Sequence, residues 1–310
     1  MKRALARRAA VVALAIAALA VPARAQEVPQ IRSAIEAVSV DVSVIRDGRA
    51  VEGLEAGDFE VRDDGKRRDV ELVIAGKVPL HVLLVIDTSG SVERGQLEAL
   101  RAAALALLRD LGPGDRAGVL TFSERVRLLG GIHNSPVAAR ALVARMETGG
   151  DTSLRDALWT ALKLTEGALG RVLVLVFSDG VDTSSWLSQR AVLAAARESN
   201  AVVHVLYTAP EAPVPGPSRP RTPDEMFLSR VAAETGGRLW AATAEPGALD
   251  LAARRALAEM RSRYVLSFER PPGTQPGWHR LEVRLKGRRA DVLARRGYFV
   301  PDGPSSTTPP

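Results

Sequence analysis

From Ala37 to Ile45 apolar and polar residues alternate (AVSVDVSVI), the period of a strand with one buried face. Asp47-Gly48 signals a tight turn. In Leu54–Arg62 (LEAGDFEVR) Phe59 and Val61 fall on one side. Asp63-Asp64-Gly65 marks a second turn, and Val70–Ile74 reads as a further strand. Short strands joined by Asp-Gly turns predict a small β unit.

At Pro79 the pattern changes. Leu80–Ile86 (LHVLLVI) is a continuous apolar run, as expected of a parallel strand covered on both faces. Glu93–Leu111 sets Leu97, Leu100, Ala104, Leu107 and Leu111 three and four apart, which predicts an amphipathic helix that Gly112-Pro113-Gly114-Asp115 stops. Arg116–Phe122, Arg171–Phe177 and Ala201–Tyr207 read as strands, with a short one at Gly237–Ala241. Val137–Met146, Leu154–Ala168, Leu187–Ser199, Asp224–Thr235 and Pro246–Arg261 read as helices. This alternation predicts an α/β domain over 79–261, a doubly wound and mostly parallel Rossmann-like sheet. Thr208–Pro223 holds six prolines and is expected as an exposed loop within it.

From Arg263 the period returns to two. Tyr264–Phe268, His279–Leu285, Ala290–Leu293 and Arg296–Val300 are expected strands. Neither this C-terminal β segment (262–300) nor the N-terminal one (26–78) is large enough to bury a core alone. They are expected to pack together as a smaller β-sandwich-like unit framing the α/β domain. Residues 301–310 (PDGPSSTTPP) read as a disordered tail.

Composition narrows the chemistry. Of 310 residues, 46% are apolar and 25% charged, which excludes wholesale disorder. The chain has no Cys, so disulfides, thiolate metal sites and cysteine nucleophiles are excluded. Its four His (His81, His133, His204, His279) include no pair with zinc-protease spacing. His81 and His204 lie in apolar strands and are expected as satisfied or edge positions rather than ligands.

The formal charge of +6 rests largely on residues 1–25, which carry Lys2, Arg3, Arg7, Arg8 and Arg24 and no acid. A basic start, an apolar run from Ala9 to Val21 and Ala23-Arg24-Ala25 as an A-x-A site predict a secretory signal peptide cut before Gln26. The run is about 13 residues, short of a spanning helix. Its removal leaves a charge of +1, too little to point to nucleic acid. The mature chain is therefore expected to be periplasmic or secreted, without a membrane span.

The strand ending at Ile86 runs into Asp87-Thr88-Ser89-Gly90-Ser91, and the strand ending at Phe177 into Ser178-Asp179-Gly180. Between them stands Gly149-Gly150-Asp151-Thr152-Ser153, leading into a helix. In an open α/β sheet, ligands bind beyond the carboxyl ends of the strands. Carboxylates and hydroxyls without His or Cys are hard oxygen donors, suited to Mg²⁺, Mn²⁺ or Ca²⁺ rather than zinc. A helix N-cap would explain any one of Asp87, Ser89 and Ser91, but not a set of positions at one sheet edge.

These three segments together resemble the von Willebrand factor type A domain and its metal-ion-dependent adhesion site. That family has D-x-S-x-S after the first strand, a Thr in a GG-x-T loop and an Asp in a later S-D-G. The likeness spans Pro79 to Arg261 and matches the five ligand positions Asp87, Ser89, Ser91, Thr152 and Asp179. It implies that Ser89, Ser91 and Thr152 offer hydroxyl oxygens, that Asp87 and Asp179 act directly or through water, and that a partner's acidic side chain completes the shell. EGLEAGDFEVRDDGKRRDV and the segment from Tyr264 to Phe299 are similar to the flanks of exported bacterial proteins of the von Willebrand factor A-related group.

The resulting expectation is a metal-dependent protein-interaction or adhesion module that binds a carboxylate of a protein or surface ligand. The alternatives are a metal-dependent hydrolase, or an envelope-complex component whose metal serves the fold. The hydrolase reading is the weaker. A phosphatase of the Asp-nucleophile type needs a second carboxylate two residues on, where this chain has Ser89, and no G-x-S-x-G or P-loop is present. Around the site, Asp151 is expected to cap the next helix, Asp182 to serve a turn and Arg155 to be a solvated charge. Trp186 is open between an exposed contact and core packing. Asp63-Asp64 lacks EF-hand spacing and reads as a turn.

Overall fold

Residues 37–301 are described by a computed structural model, apart from 75–77, 91–93, 169, 209–221, 243–246 and 288. The expected signal peptide, most of the Pro-rich loop, the tail beyond residue 301 and Ser91 lie outside the described residues.

Strand β1 (Ala37–Arg46) follows the alternation, burying Val38, Val40, Val42 and Val44. Asp47 (φ 51°) and Gly48 (φ 75°) form the tight turn into β2 (Arg49–Ala50), both in the left-handed region that a two-residue hairpin requires. The strand expected from Leu54 starts only at Phe59. A 3₁₀ turn occupies Ala56–Asp58, because the Asp58 carboxylate accepts from the Glu55 N–H at 2.9 Å. Then follow β3 (Phe59–Asp63), β4 (Lys66–Arg68) and β5 (Glu71–Ile74).

The α/β part runs β6 (Leu80–Asp87), α1 (Arg94–Arg109), β7 (Arg116–Phe122), β8 (Val126–Gly130), α2 (Pro136–Val143), α3 (Leu154–Leu164), β9 (Arg171–Ser178), α4 (Gln189–Glu198), β10 (Val202–Thr208), α5 (Pro223–Glu234), β11 (Leu239–Ala242) and α6 (Ala248–Ser262). The order across its sheet is β11-β10-β9-β6-β7-β8, with only β8 antiparallel. β8 has no counterpart in the sequence reading. It is a five-residue edge hairpin strand whose Arg127 and Leu128 face solvent, so it carries no buried run. Alternate residues of β6 serve opposite layers. Leu80, Val82, Leu84 and Ile86 pack with α1, α2 and α6. Leu83 and Val85 pack with α3, α4 and α5. Burial on both faces is why these strands read as continuous apolar runs.

The last four strands are β12 (Tyr264–Glu269), β13 (Gly277–Leu285), β14 (Asp291–Leu293) and β15 (Gly297–Val300). They interleave with the first strands. One sheet runs β14-β1-β12-β5, with β2 added on β1, and the other β15-β13-β3-β4. Between them lies an apolar cluster of Val40, Val42, Phe59, Val61, Leu266, Phe268 and Tyr298, drawn from both ends of the chain.

A polar joint connects this β unit to the α/β part. Arg171, at the start of β9 and 2% exposed, pairs with Asp41 of β1 at 2.6 Å and donates to the Met260 carbonyl at 2.6 Å. Just beyond α6, buried Arg263 pairs with Glu259 at 3.0 Å, and Glu259 also faces the His204 Nε2 of β10 at 2.7 Å. His204 Nδ1 accepts from the Arg238 N–H (3.1 Å) and the Trp240 Nε1 (3.3 Å), so the ring is the neutral Nε2–H tautomer. Burial holds the His204 pKa below its usual value of 6.5. Burial alone would raise Glu259, but the Arg263 guanidinium and then His204 hold it well below the usual carboxylate range.

Two outcomes follow. Removing one partner strands the other's charge, so Asp41→Ala should cost about 3 kcal/mol in urea denaturation. An unchanged midpoint would show that the joint adds nothing. Both shifts in the Glu259–His204 pair are downward, so its contribution is present at neutral pH. It is lost as pH falls below 6.5, where His204 of the unfolded chain takes up a proton, and then below 4.5, where Glu259 does. In an NMR titration the His204 ring should stay neutral below pH 6.5 while the protein is folded, and a ring protonating at or above 6.5 would contradict this arrangement.

Candidate metal centre

Parallel pairing sets the site. Ile86 is in register with Phe177 and Asp87 with Phe122, so Asp87 emerges at the carboxyl edge between β9 and β7. Its side chain is buried at 1% exposure. Oδ1 accepts from the Ser89 N–H (3.0 Å) and the Ser89 hydroxyl (2.7 Å), and Oδ2 from the Ser178 hydroxyl (3.0 Å). The first of these is a local turn in which an Asp bonds the backbone two residues on. Next to Ser178, half-buried Asp179 accepts from the Val181 N–H at 3.1 Å. Gly180 permits that bend. Its φ is +86°, and a Cβ there would lie 2.7 Å from the Tyr207 ring.

The third segment is laced to the first. The Gly90 N–H donates to Gly150 O (2.7 Å) and the Gly149 N–H to Thr88 O (2.9 Å). Thr152, 3% exposed, donates its N–H to the Thr183 hydroxyl at 2.9 Å, and its carbonyl accepts from the Thr183 and Ser184 N–H groups. Asp87 at the end of β6 and Ser89, Thr152 and Asp179 on the following loops are therefore gathered at one sheet edge.

Electrostatics set this edge apart. Burial, joined by the nearby Asp179 charge, pushes Asp87 up to about 6 against the opposing hydrogen bonds from Ser89 and Ser178. That disfavours its ionised form by on the order of 3 kcal/mol. Among the described residues no Lys or Arg pairs with either carboxylate; their partners are hydroxyls and backbone N–H groups. Two carboxylates short of positive charge, among hard oxygen donors, fit a divalent cation. Asp87 and Asp179 would hold it with Ser89 and Thr152.

The surroundings correct three expectations. Ser153 rather than Asp151 stands at the N-cap of α3, and its hydroxyl is turned to Ser123 O at 2.6 Å. The N-terminus of α3 is capped from the loop after β9 instead. Arg155 N–H donates to Asp182 Oδ2 (2.8 Å), and the Ser185 hydroxyl accepts from Arg155 N (3.0 Å) and Asp156 N (3.3 Å). Arg155 also pairs with Asp182 at 2.9 Å, so it is not a free surface charge and Asp182 is more than a turn residue. Burial would raise Asp182, but the Arg155 and Ser185 bonds hold it below its usual range. Trp186 is 97% exposed, not core.

Residues 82–182 match the family model for the von Willebrand factor type A domain, a span that contains all five expected ligand positions. The chain contains a von Willebrand factor type A domain. It is 32% identical over 94 residues to pig (Sus scrofa) inter-alpha-trypsin inhibitor heavy chain H4, covering 29% of this chain and 10% of that protein. It is 31% identical over 116 residues to an uncharacterized Synechocystis protein, covering 34% and 27%. The matches thus span between a tenth and about a quarter of these relatives. A solved von Willebrand factor type A structure from Catenulispora acidiphila shares the fold, with a TM-score of 0.50 at 16% identity over 86% of this chain and 75% of that one.

Outside the type A domain, one further group of carboxylates and imidazole converges among the described residues. Asp63, Asp64 and His279 present ligand atoms within 4.8 Å of one another. Their protonation argues for a structural clamp. His279 Nδ1 faces the Asp64 carboxylate at 2.8 Å and Nε2 the Gln275 carbonyl at 2.8 Å. Both partners only accept, so both nitrogens donate, and an imidazolium has no lone pair for a metal. The ring also stacks on Tyr298, centroids 5.1 Å apart. Partial burial opposes the charge, but the Gln275 and Asp64 bonds outweigh it and raise the His279 pKa.

His279 should therefore titrate above 6.5 by NMR, and Asp64→Asn should bring it back toward that value. The clamp's contribution is complete below pH 6.5 and is lost as pH rises through the raised pKa. A His279 ring that titrates below 6.5 would refute the imidazolium.

Proposed function

We propose that this protein is an exported, metal-dependent interaction module. In this reading Asp87, Ser89, Ser91, Thr152 and Asp179 hold one divalent cation, Mg²⁺ or its close substitutes Mn²⁺ and Ca²⁺. A carboxylate from a protein or surface partner then completes the shell. The observation that carries it is the buried Asp87 carboxylate beside Asp179, whose partners among the described residues are hydroxyls and an N–H group, at the strand edge where α/β sheets bind ligands. The all-oxygen donor set and the family match over 82–182 support the same reading. The bound cation supplies an electrophilic position that favours an anionic oxygen. The protein's part is to fix the donors: Ser89 and Ser178 orient Asp87, and the Thr183 hydroxyl holds the Thr152 backbone. No covalent step is involved. The basic and apolar start with its A-x-A site supports export.

The test is calorimetric titration of Mg²⁺ and Mn²⁺ into the mature protein, beside Asp87→Ala and the double variant Ser89→Ala/Ser91→Ala. Wild type should bind one ion, and both variants should lose binding while keeping their circular dichroism spectra. At a hundredfold excess over Kd the ion should add about 2.7 kcal/mol and raise Tm by roughly 5–10 °C. A folded wild type that binds neither ion, with no change in Tm, would sink the proposal.

A further inference from the structure

Exposed apolar side chains are ordinary singly, and most need no explanation. Trp186 differs in two ways. Its indole is 97% exposed, whereas the other large exposed hydrophobics among the described residues lie between 39% and 65%. Its backbone, by contrast, is pinned. Trp186 N–H donates to Asp156 Oδ2 (3.0 Å) and Leu187 N–H to Asp156 Oδ1 (2.9 Å). The preceding residues are tied to Asp182, with Ser185 Oγ to Oδ2 at 2.6 Å and Arg155 to Oδ1 at 2.9 Å. A large aromatic on an ordered loop has much of its ordering cost met before binding, which is the character of an interface anchor.

The loop's position links it to the metal edge. Thr183 and Ser184 of the same loop bond Thr152 directly, and Val181, 46% exposed, follows Asp179 by two residues. Beside Thr88, Gly149 and Gly150 opens a cavity of about 250 Å³ that Arg125, Arg127 and Arg145 also line. Glu124 and Glu147 share its wall, so guanidinium groups outnumber carboxylates by three to two. The metal edge is thus bordered by an exposed indole on a pinned loop and by a net-basic cavity.

We propose that the partner is an acidic protein segment with apolar side chains beside its metal-binding carboxylate, and that these side chains cover the Trp186 indole. This rests on the metal-dependent reading above. The charge complementarity comes from the cation and the arginine-lined cavity, and the apolar half of the contact from Trp186 with Val181. Among the described residues Trp186 bonds Asp156 and not Asp87, Ser89, Thr152 or Asp179, so its removal should leave the cation in place.

The experiment uses the full mature chain in Mg²⁺. The probe is a displayed peptide library with one fixed Asp and randomised flanks, and the selected peptides are then measured on Trp186→Ala, Trp186→Phe and Asp87→Ala. The expected result is Mg²⁺-dependent enrichment of peptides with apolar residues next to the Asp. These should bind Trp186→Ala at least about tenfold more weakly, Trp186→Phe in between, and Asp87→Ala not at all. Mg²⁺ affinity and Tm of Trp186→Ala should match wild type. Peptides that need Mg²⁺ yet bind Trp186→Ala as tightly as wild type would overturn the Trp186 anchor and leave the metal reading standing. A wild type that binds Mg²⁺ but enriches no peptide in a Mg²⁺-dependent manner would overturn the proposed partner chemistry. Failure to bind Mg²⁺ at all would take down both.

Discussion

Parallel pairing of β6 between β7 and β9 is the constraint from which the rest follows. Helices cover both faces of these strands, so polar side chains are pushed to the strand ends, where hydrogen-bond partners are within reach. β9 shows this most directly. All eight of its residues are buried, with Arg171 at one end joining the β unit and Ser178 at the other holding Asp87. About 23 Å of strand separates the two ends. The polar joint and the candidate metal centre are therefore the two termini of one rigid element.

Buried carboxylates in this protein are stabilised in different ways, and the contrast is informative. Glu259 is matched by Arg263 and His204. Asp115, 3% exposed, is matched by Arg261 and by the N–H groups of Leu80 and Gly112. Both stay below the usual carboxylate range. Asp87 has neutral donors and a neighbouring acid, and its pKa moves the other way. A buried charge without a counter-charge is costly. Where the fold tolerates one, an external cation is the simplest source of the missing charge.

The loop after β9 and the N-terminus of α3 stabilise each other. Asp182 and Ser185 bond the first free N–H groups of the helix, while Asp156 in its first turn bonds the loop's N–H groups at Trp186 and Leu187. This reciprocal capping makes Thr152, α3 and residues 181–187 one body. It gives the backbone that carries the exposed indole a fixed place, and it explains why Arg155 and Asp182 are occupied although neither has an obvious partner nearby in sequence.

Much of this was legible in the chain itself. Two-residue alternation marked β1, and continuous apolar runs marked β6, β9 and β10, because burial on one face or on both writes directly into the period of the sequence. The proposed oxygen donors are local in the same sense: each sits just past a recognisable strand or just before a helix. What stayed hidden was whatever depends on residues far apart in the chain. β8 is an edge strand that buries no apolar run. The Asp41–Arg171 pair spans 130 positions, and the capping of α3 by Asp182 spans 27. Whether Trp186 packs inward or stands in solvent was equally undetermined. Periodicity reports what one element buries, but only the tertiary structure brings two distant segments close enough for a charge, a cap or an exposed ring to acquire its meaning.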